Sequence, residues 1–130
     1  MREIKFRAMN EIGNWVYFSI WGINPPLDKK KFKNLCEFTG LKDKNEKEIY
    51  EGDILELDGG GEPCLGSVGF ERGCFVFNAD WLDKKKEYMP ELYRYTFFAE
   101  LKKGKLFKDC VVVKIVGNIY ENSNLLEAKQ

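Results

Sequence analysis

Short segments with the features of β-strands recur along the chain, and this recurrence constrains the fold more than any other feature. In the first segment, the apolar residues Ile4, Phe6 and Ala8 alternate with charged residues, which is the period of a half-buried strand. The later segments are rich in β-branched and aromatic residues and end at glycine-containing or charged turns. They lie at 15–21, 35–39, 54–58, 65–70, 74–78 and 111–115. Closely spaced short strands predict a mainly β fold, either a small barrel or a sandwich.

Few or no helices are expected. The segments 65–70 and 74–78 are predicted to form a hairpin, in which Gly73 supplies a positive φ. Alternation of large and polar residues favours a strand over 94–101, although Pro90 could instead begin a helix there. The last residues, 123–130, have the composition of a single helical turn.

The length and composition predict a single domain over residues 1–130. With 44% apolar residues, the chain can bury a core without metal ions or disulfides. The segment 22–33 is the one plausible internal boundary, because it contains consecutive prolines followed by a basic connector. It would separate an N-terminal hairpin at 1–28 from a barrel core at 35–122.

Charge and hydropathy restrict the partners and the location. Lysine plus arginine and aspartate plus glutamate each number 21, so the composition carries no overall attraction to nucleic acid or to anionic lipid. No window is apolar enough for a membrane helix, and the first residues do not resemble a signal peptide. We therefore expect a cytoplasmic protein with reduced cysteines and no membrane partner.

The residue types that usually carry catalysis or bind metal are scarce. The chain has no histidine, and its most closely spaced cysteines, Cys64 and Cys74, are ten residues apart, too far for a usual zinc site. The acidic run at 51–62 is typical of solvated strand edges, and the segment beginning at Asp43 lacks the glycine and glutamate of a calcium loop. We predict no enzyme activity, no metal site and no cofactor.

Three segments, in order, resemble the YopX family of bacteriophage and prophage proteins. These are REIKFRA at 2–8, TGLKDKNEKEIYEGDI at 39–54, and VGNIYEN at 116–122 followed by LLE at 125–127. One departure is Glu46, which stands where the family commonly has a glycine. The resemblance implies a phage or prophage gene product with an SH3-like small barrel, and it brings no catalytic residues.

The residues of these motifs are interpreted as specifying the fold. Gly40 and Gly52 are predicted to lie where the chain reverses between strands, and Asp53 is predicted to accept hydrogen bonds from turn amides. Asn118 could do the same at the end of the last strand. The predicted fold-specifying residues are Thr39, Gly40, Asp43, Tyr50, Gly52, Asp53, Gly117, Asn118 and Tyr120.

Two functional hypotheses remain. The first is an interaction module in the host cytoplasm that binds a protein partner, with Trp21 and Trp81 as anchors. The alternative is a nucleic-acid-binding accessory protein that uses lysines at 29–33, 84–86 and 102–108 together with exposed aromatic rings. The binding residues of the second hypothesis include Trp81, Lys84, Lys85, Lys86, Tyr88 and Tyr93. Free strand edges would also allow homo-oligomers.

Overall fold

The computed structural model describes residues 4–19, 31–60, 64–79, 97–106, 111–122 and 124–127. The strands are β1 (Lys5–Met9), β2 (Trp15–Ser19), β3 (Lys33–Lys42), β4 (Glu48–Tyr50), β5 (Asp53–Asp58), β6 (Cys64–Glu71), β7 (Cys74–Ala79), β8 (Lys105–Leu106) and β9 (Val111–Asn118). A short helix, α1, spans Asn124–Glu127, and residues 97–100 are also helical.

These strands form two antiparallel sheets. The first has the order β2-β1-β3-β4 and the second the order β7-β6-β5-β9-β8. The predicted mainly β fold is therefore confirmed. The predicted SH3-like barrel is not confirmed. Within the described part of the chain, each sheet has two edge strands that pair on one side only, so neither sheet closes on itself.

The first two strands form a hairpin with a regular register, in which Phe6 lies opposite Phe18. Its turn is held by Asn10, whose side-chain oxygen accepts hydrogen bonds from the backbone amides of Ile12 and Asn14. Strand β1 also pairs with β3, so this hairpin is part of a four-stranded sheet.

The second predicted hairpin, β6–β7, is present. Its turn contains Arg72 with a φ of 52° and Gly73 with a φ of 82°. Positive φ at both central residues gives a turn whose twist matches that of the flanking strands.

The strand favoured over 94–101 is wrong where the structure describes that segment, and the helix that the sequence left open is present at 97–100. Residues 97–100 are helical, and the amide of Leu101 donates a 3.1 Å hydrogen bond to the carbonyl of Phe97. Phe97 and Leu101 are both buried, and the ring of Phe97 stacks on Phe77 with 4.3 Å between centroids. Burial therefore follows the helical spacing of four residues, whereas the sequence suggested a spacing of two.

The predicted position of Gly40 at a chain reversal is also wrong. Gly40 lies inside β3, with a φ of 89°, where the register with β4 shifts between Phe38 and Lys42. Its positive φ permits a bulge in the strand. The chain reverses immediately after β3, where the amide of Asp43 donates to the carbonyl of Lys47.

Strand β4 lies between two hydrophobic clusters. Ile49 belongs to the larger one, which also contains Leu55, Leu57, Val68, Phe77, Phe97, Leu101 and Val113. Tyr50 belongs to the smaller one, with Cys36 and Phe38. Because consecutive side chains of a strand point to opposite faces, the short strand β4 connects both clusters. Within the described ranges, no helix has the length and apolar character needed to cross a membrane.

Candidate functional site

A buried ion pair connects the two sheets. Arg7 on β1 donates a 2.6 Å hydrogen bond from Nη2 to Oδ1 of Asp53, the first residue of β5. The side chains of Arg7 and Asp53 are only 7% and 3% exposed. The second carboxylate oxygen of Asp53 accepts a 2.8 Å hydrogen bond from the backbone amide of Tyr50. Asp53 thus connects β1, β4 and β5.

Aromatic rings enclose the guanidinium of Arg7. Its Cζ lies 4.5 Å from the ring centroid of Trp15 and 5.0 Å from that of Tyr50, which are cation–π distances. Desolvation by burial opposes the charge of Arg7, but the attraction and the hydrogen bond of Asp53, together with the contact with Cys36, outweigh it, so the pKa of Arg7 lies above its ordinary value. Nε of Arg7 is buried without a hydrogen-bond partner.

An open pocket of about 420 Å³ lies over this ion pair and is lined by Arg7, Tyr17, Lys47, Glu48, Tyr50, Asp53 and Ile115. Tyr17 forms an exposed wall and meets Tyr50 edge-on, with 5.6 Å between centroids. Glu48 accepts a 3.1 Å hydrogen bond from the hydroxyl of Tyr50 and also pairs with Lys5. Both carboxylates that line the pocket are therefore already paired.

The buried cysteine next to this pocket is not poised as a nucleophile. Cys36 is fully buried, with its sulfur 3.1 Å from the carbonyl of Asn34 and 3.7 Å from the hydroxyl of Tyr120. Burial raises the pKa of the Cys36 thiol. Burial and the contact with Cys36 also raise the pKa of Tyr120 to about 12. Both groups are therefore protonated at neutral pH.

Tyr120 is fixed by residues from distant segments. Its ring meets Trp15 edge-on, with 5.8 Å between centroids, and it covers Gly52, where an added Cβ would lie 2.8 Å from Cε2 of Tyr120. The side-chain oxygen of Asn118 accepts hydrogen bonds from the amides of Tyr120 and Glu121. These contacts bring the N-terminal hairpin, the β4–β5 turn and the end of β9 together.

Glu121 extends this cluster at the surface. Its Oε1 accepts a 2.5 Å hydrogen bond from Nε1 of Trp15 and a 3.1 Å bond from Nδ2 of Asn118. The bond from Trp15, followed by that from Asn118, lowers the pKa of Glu121 below its ordinary value.

Asp43 organises the turn between β3 and β4. Its Oδ1 accepts hydrogen bonds from the amides of Asn45 and Lys47, at 2.8 and 3.0 Å. Its Oδ2 accepts a 3.0 Å bond from the amide of Ile115 on β9. Upstream, the hydroxyl of Thr39 donates to the carbonyl of Ile49. The turn is thereby held to both sheets.

The side of the first sheet that faces away from Arg7 is mainly apolar, and we name it the outer face. Strand alternation and register place Ile4, Phe6, Ala8, Val16, Phe18, Leu35 and one acidic residue, Glu37, on it. Ile4, Val16 and Leu35 are 44%, 36% and 57% exposed. Phe6 and Phe18 stack between β1 and β2, with 5.8 Å between centroids. The outer face thus presents apolar groups to solvent.

Comparison with known proteins identifies the family. A family profile described as YopX protein matches residues 5–127. The chain belongs to the YopX family. A crystal structure of protein EF1440 from Enterococcus faecalis is similar, with a TM-score of 0.56 and 20% identity, and the match covers 97% of this chain and 99% of that one. This likeness supports the fold. No curated protein sequence matches the chain.

Several motif residues of this YopX protein are brought together in the structure. Asp53, Gly52 and Tyr120 meet around Arg7 and Trp15, and Gly117 lies against Asn122, where an added Cβ would be 2.6 Å from Oδ1. The predicted binding residues Trp21, Trp81, Lys84, Lys85, Lys86, Tyr88 and Tyr93 lie outside the described residues.

Sequence reasoning missed Arg7, Trp15 and Tyr17. Arg7 occupies the polar position of an alternating strand, so the pattern placed it in solvent. The structure instead turns that side of β1 toward the second sheet. The one available sign was that Arg7 lies within the first family segment.

The acidic run contains no metal site among its described members. Asp53 is buried and paired with Arg7, whereas Asp58 is exposed at the end of β5. In the part of the chain that the structure describes, no group of three or more potential metal ligands is present.

Proposed function

We propose that this YopX family member is a non-enzymatic interaction module, encoded by a bacteriophage or prophage, which binds a protein partner in the cytoplasm of the bacterial host. The outer face of the first sheet carries this proposal. It is a mainly apolar surface built by three adjacent strands, and exposed apolar patches on small proteins often mark interaction sites.

The form of the outer face favours a protein over a small ligand. Strands β2, β1 and β3 lie side by side, so the exposed Val16 and Leu35 lie on either side of the buried Ala8, next to the stacked rings of Phe6 and Phe18. Such a surface matches the flat apolar centre of a protein interface, whereas small ligands usually need a concave site.

The pocket over Arg7 is less suited to catalysis than to recognition. Its carboxylates, Asp53 and Glu48, are held by Arg7 and Lys5, so neither is available as a base without breaking an ion pair. The exposed ring of Tyr17 gives the pocket an aromatic wall. Trp21 and Trp81 remain predicted anchors for the partner.

The experiment is capture from host lysate followed by binding measurements with the purified partner. Val16→Gln and Leu35→Gln should together weaken binding at least about 10-fold, because each removes a large part of a buried apolar contact. The matched control is Ile119→Gln, since Ile119 is 38% exposed, close to the 36% of Val16, but lies beyond β9.

Two results would contradict the proposal. One is a partner that binds the Val16→Gln/Leu35→Gln variant as tightly as it binds the unaltered protein. The other is a protein that sediments as a dimer while the variant sediments as a monomer, because the outer face would then serve self-association. Thermal unfolding of each variant verifies that the fold is retained.

A further inference from the structure

Two lysine-bearing turns lie side by side at one end of the molecule. The first, at 42–47, joins β3 to β4, and the second, at 102–105, leads into β8. We name them the lysine turns; their exposed lysines are Lys42, Lys44, Lys47, Lys102, Lys103 and Lys105. The sequence indicated a cluster at 102–108, but did not indicate that the turn after β3 would adjoin it.

The backbones of the two turns are in direct contact. A Cβ added at Gly104 would lie 2.3 Å from the backbone nitrogen of Lys44, so only glycine allows this approach. Both turns also bond to the same residue of β9: the amide of Lys44 donates to the carbonyl of Val113, and the amide of Val113 donates to the carbonyl of Gly104. Their lysines therefore project from one rigid support.

This region carries a local excess of positive charge in a chain of zero net charge. Of the two acidic residues in the turns, Asp43 is buried and directed at backbone amides, so Glu46 is the exposed one. Among the described residues, none of the six lysines takes part in an ion pair. The neighbouring carboxylate of Glu48 is paired with Lys5.

We propose that the lysine turns bind the phosphate backbone of duplex nucleic acid without sequence preference. The turns contain lysine, aspartate, asparagine, glutamate and glycine, so they offer no aromatic ring on which an unpaired base could stack. They also offer no apolar side chain to insert into a membrane or to hold an apolar peptide. Clustered ammonium groups on a fixed backbone match regularly spaced phosphates. This surface is distinct from the outer face.

The first test is fluorescence anisotropy of a labelled DNA duplex of about 20 base pairs, titrated with the full-length protein at several salt concentrations. If about four lysines contact phosphates, the slope of log K against log salt should be about −4. The affinity should then fall by about 250-fold between about 50 mM and about 200 mM salt. A scrambled duplex of the same length should bind equally well.

The second test uses variants that are matched in charge. Lys44→Gln with Lys102→Gln should weaken duplex binding and reduce the salt slope by about two. The control, Lys31→Gln with Lys33→Gln, removes two exposed lysines from the opposite end of β3, about 30 Å from Lys42 if the strand is fully extended. This control should bind the duplex like the unaltered protein.

Three outcomes would overturn the inference: no duplex binding at low salt, equal losses in both double variants, or binding to phosphatidylglycerol vesicles or polyglutamate in place of DNA. The Val16→Gln/Leu35→Gln variant should retain duplex binding. The experiments can therefore disprove nucleic-acid binding by the lysine turns and protein binding by the outer face independently of each other.

Discussion

Arg7 and Asp53, which are 46 positions apart, form the buried ion pair that joins the two sheets, with 2.6 Å between Nη2 and Oδ1. Water hydrates neither charge well, because both side chains are almost completely buried. Each residue therefore depends on the other, and removal of one leaves an uncompensated charge in the interior.

Replacement of Arg7 by methionine should lower the free energy of unfolding by about 3–5 kcal/mol, because the carboxylate of Asp53 is left buried and unpaired. The control is Lys5→Met on the same strand as Arg7, which breaks the partly exposed pair between Lys5 and Glu48 of β4 and should cost no more than about 1 kcal/mol. Urea denaturation followed by tryptophan fluorescence measures both. Equal losses would mean that the Arg7–Asp53 pair has no special role.

A second prediction concerns the contact between the lysine turns. Gly104→Ala should lower the free energy of unfolding by about 3 kcal/mol or more, because the new Cβ would overlap the backbone of Lys44 and the turns would have to separate. Gly73→Ala is the control, since Gly73 also has a positive φ but has no atom within 4 Å of an added Cβ. It should cost only the backbone strain of about 1–2 kcal/mol. Similar losses in the two variants would contradict the close approach.

Replacement of Glu46 by glycine should stabilise the folded protein. It adopts a φ of 63°, a left-handed conformation that is unfavourable for a residue with a Cβ. Glu46→Gly should raise the free energy of unfolding by about 0.5–1 kcal/mol, since relief of this strain exceeds the added flexibility of the unfolded chain. Glu46→Ala removes the same charge but keeps the Cβ, so it should give no comparable gain. If both variants are equally stabilised, the cause is charge rather than conformation.

The sequence predicted the local features of this fold well. Strand positions, the β6–β7 hairpin and the positive φ of Gly73 follow from residue types within a few positions of one another. The hydrogen bond from the amide of Tyr50 to Asp53 is equally local, because the partners are three positions apart.

Features that depend on distant packing could not be predicted. The helical residues 97–100 bury Phe97 against Phe77, twenty positions earlier, and no local pattern specifies that contact. The position of Gly40 within β3 depends on its register with β4. Arg7 was missed for the same reason, since the alternation of β1 does not reveal that its charged side meets a second sheet.

The accessibility of the cysteines gives a further prediction. Cys36 is fully buried and its thiol has a raised pKa. A folded variant that retains Cys36 as its single cysteine should therefore react with a thiol reagent only when the structure around Cys36 opens. A variant that retains only the half-buried Cys74 should react at least about 100-fold faster. Absorbance from Ellman's reagent measures both rates. Rapid labelling of Cys36 would contradict the packing around Tyr120.

The last prediction concerns pH and the contact between Trp15 and Glu121. Hydrogen bonds from Trp15 and Asn118 lower the pKa of Glu121 below its ordinary value of 4.5, so the ionised carboxylate is favoured more in the folded than in the unfolded protein. Its contribution to stability is therefore complete above the unfolded pKa and is lost as the pH falls through the folded pKa. Glu121→Gln keeps an acceptor for Trp15 but has no charge, so it should be slightly less stable than the unaltered protein at pH 7. That difference in the free energy of unfolding should shrink as the pH falls below 4.5 and through the lowered folded pKa, where the carboxyl group becomes protonated. A difference that is constant across this range, measured by urea denaturation, would show that the charge of Glu121 does not strengthen the contact.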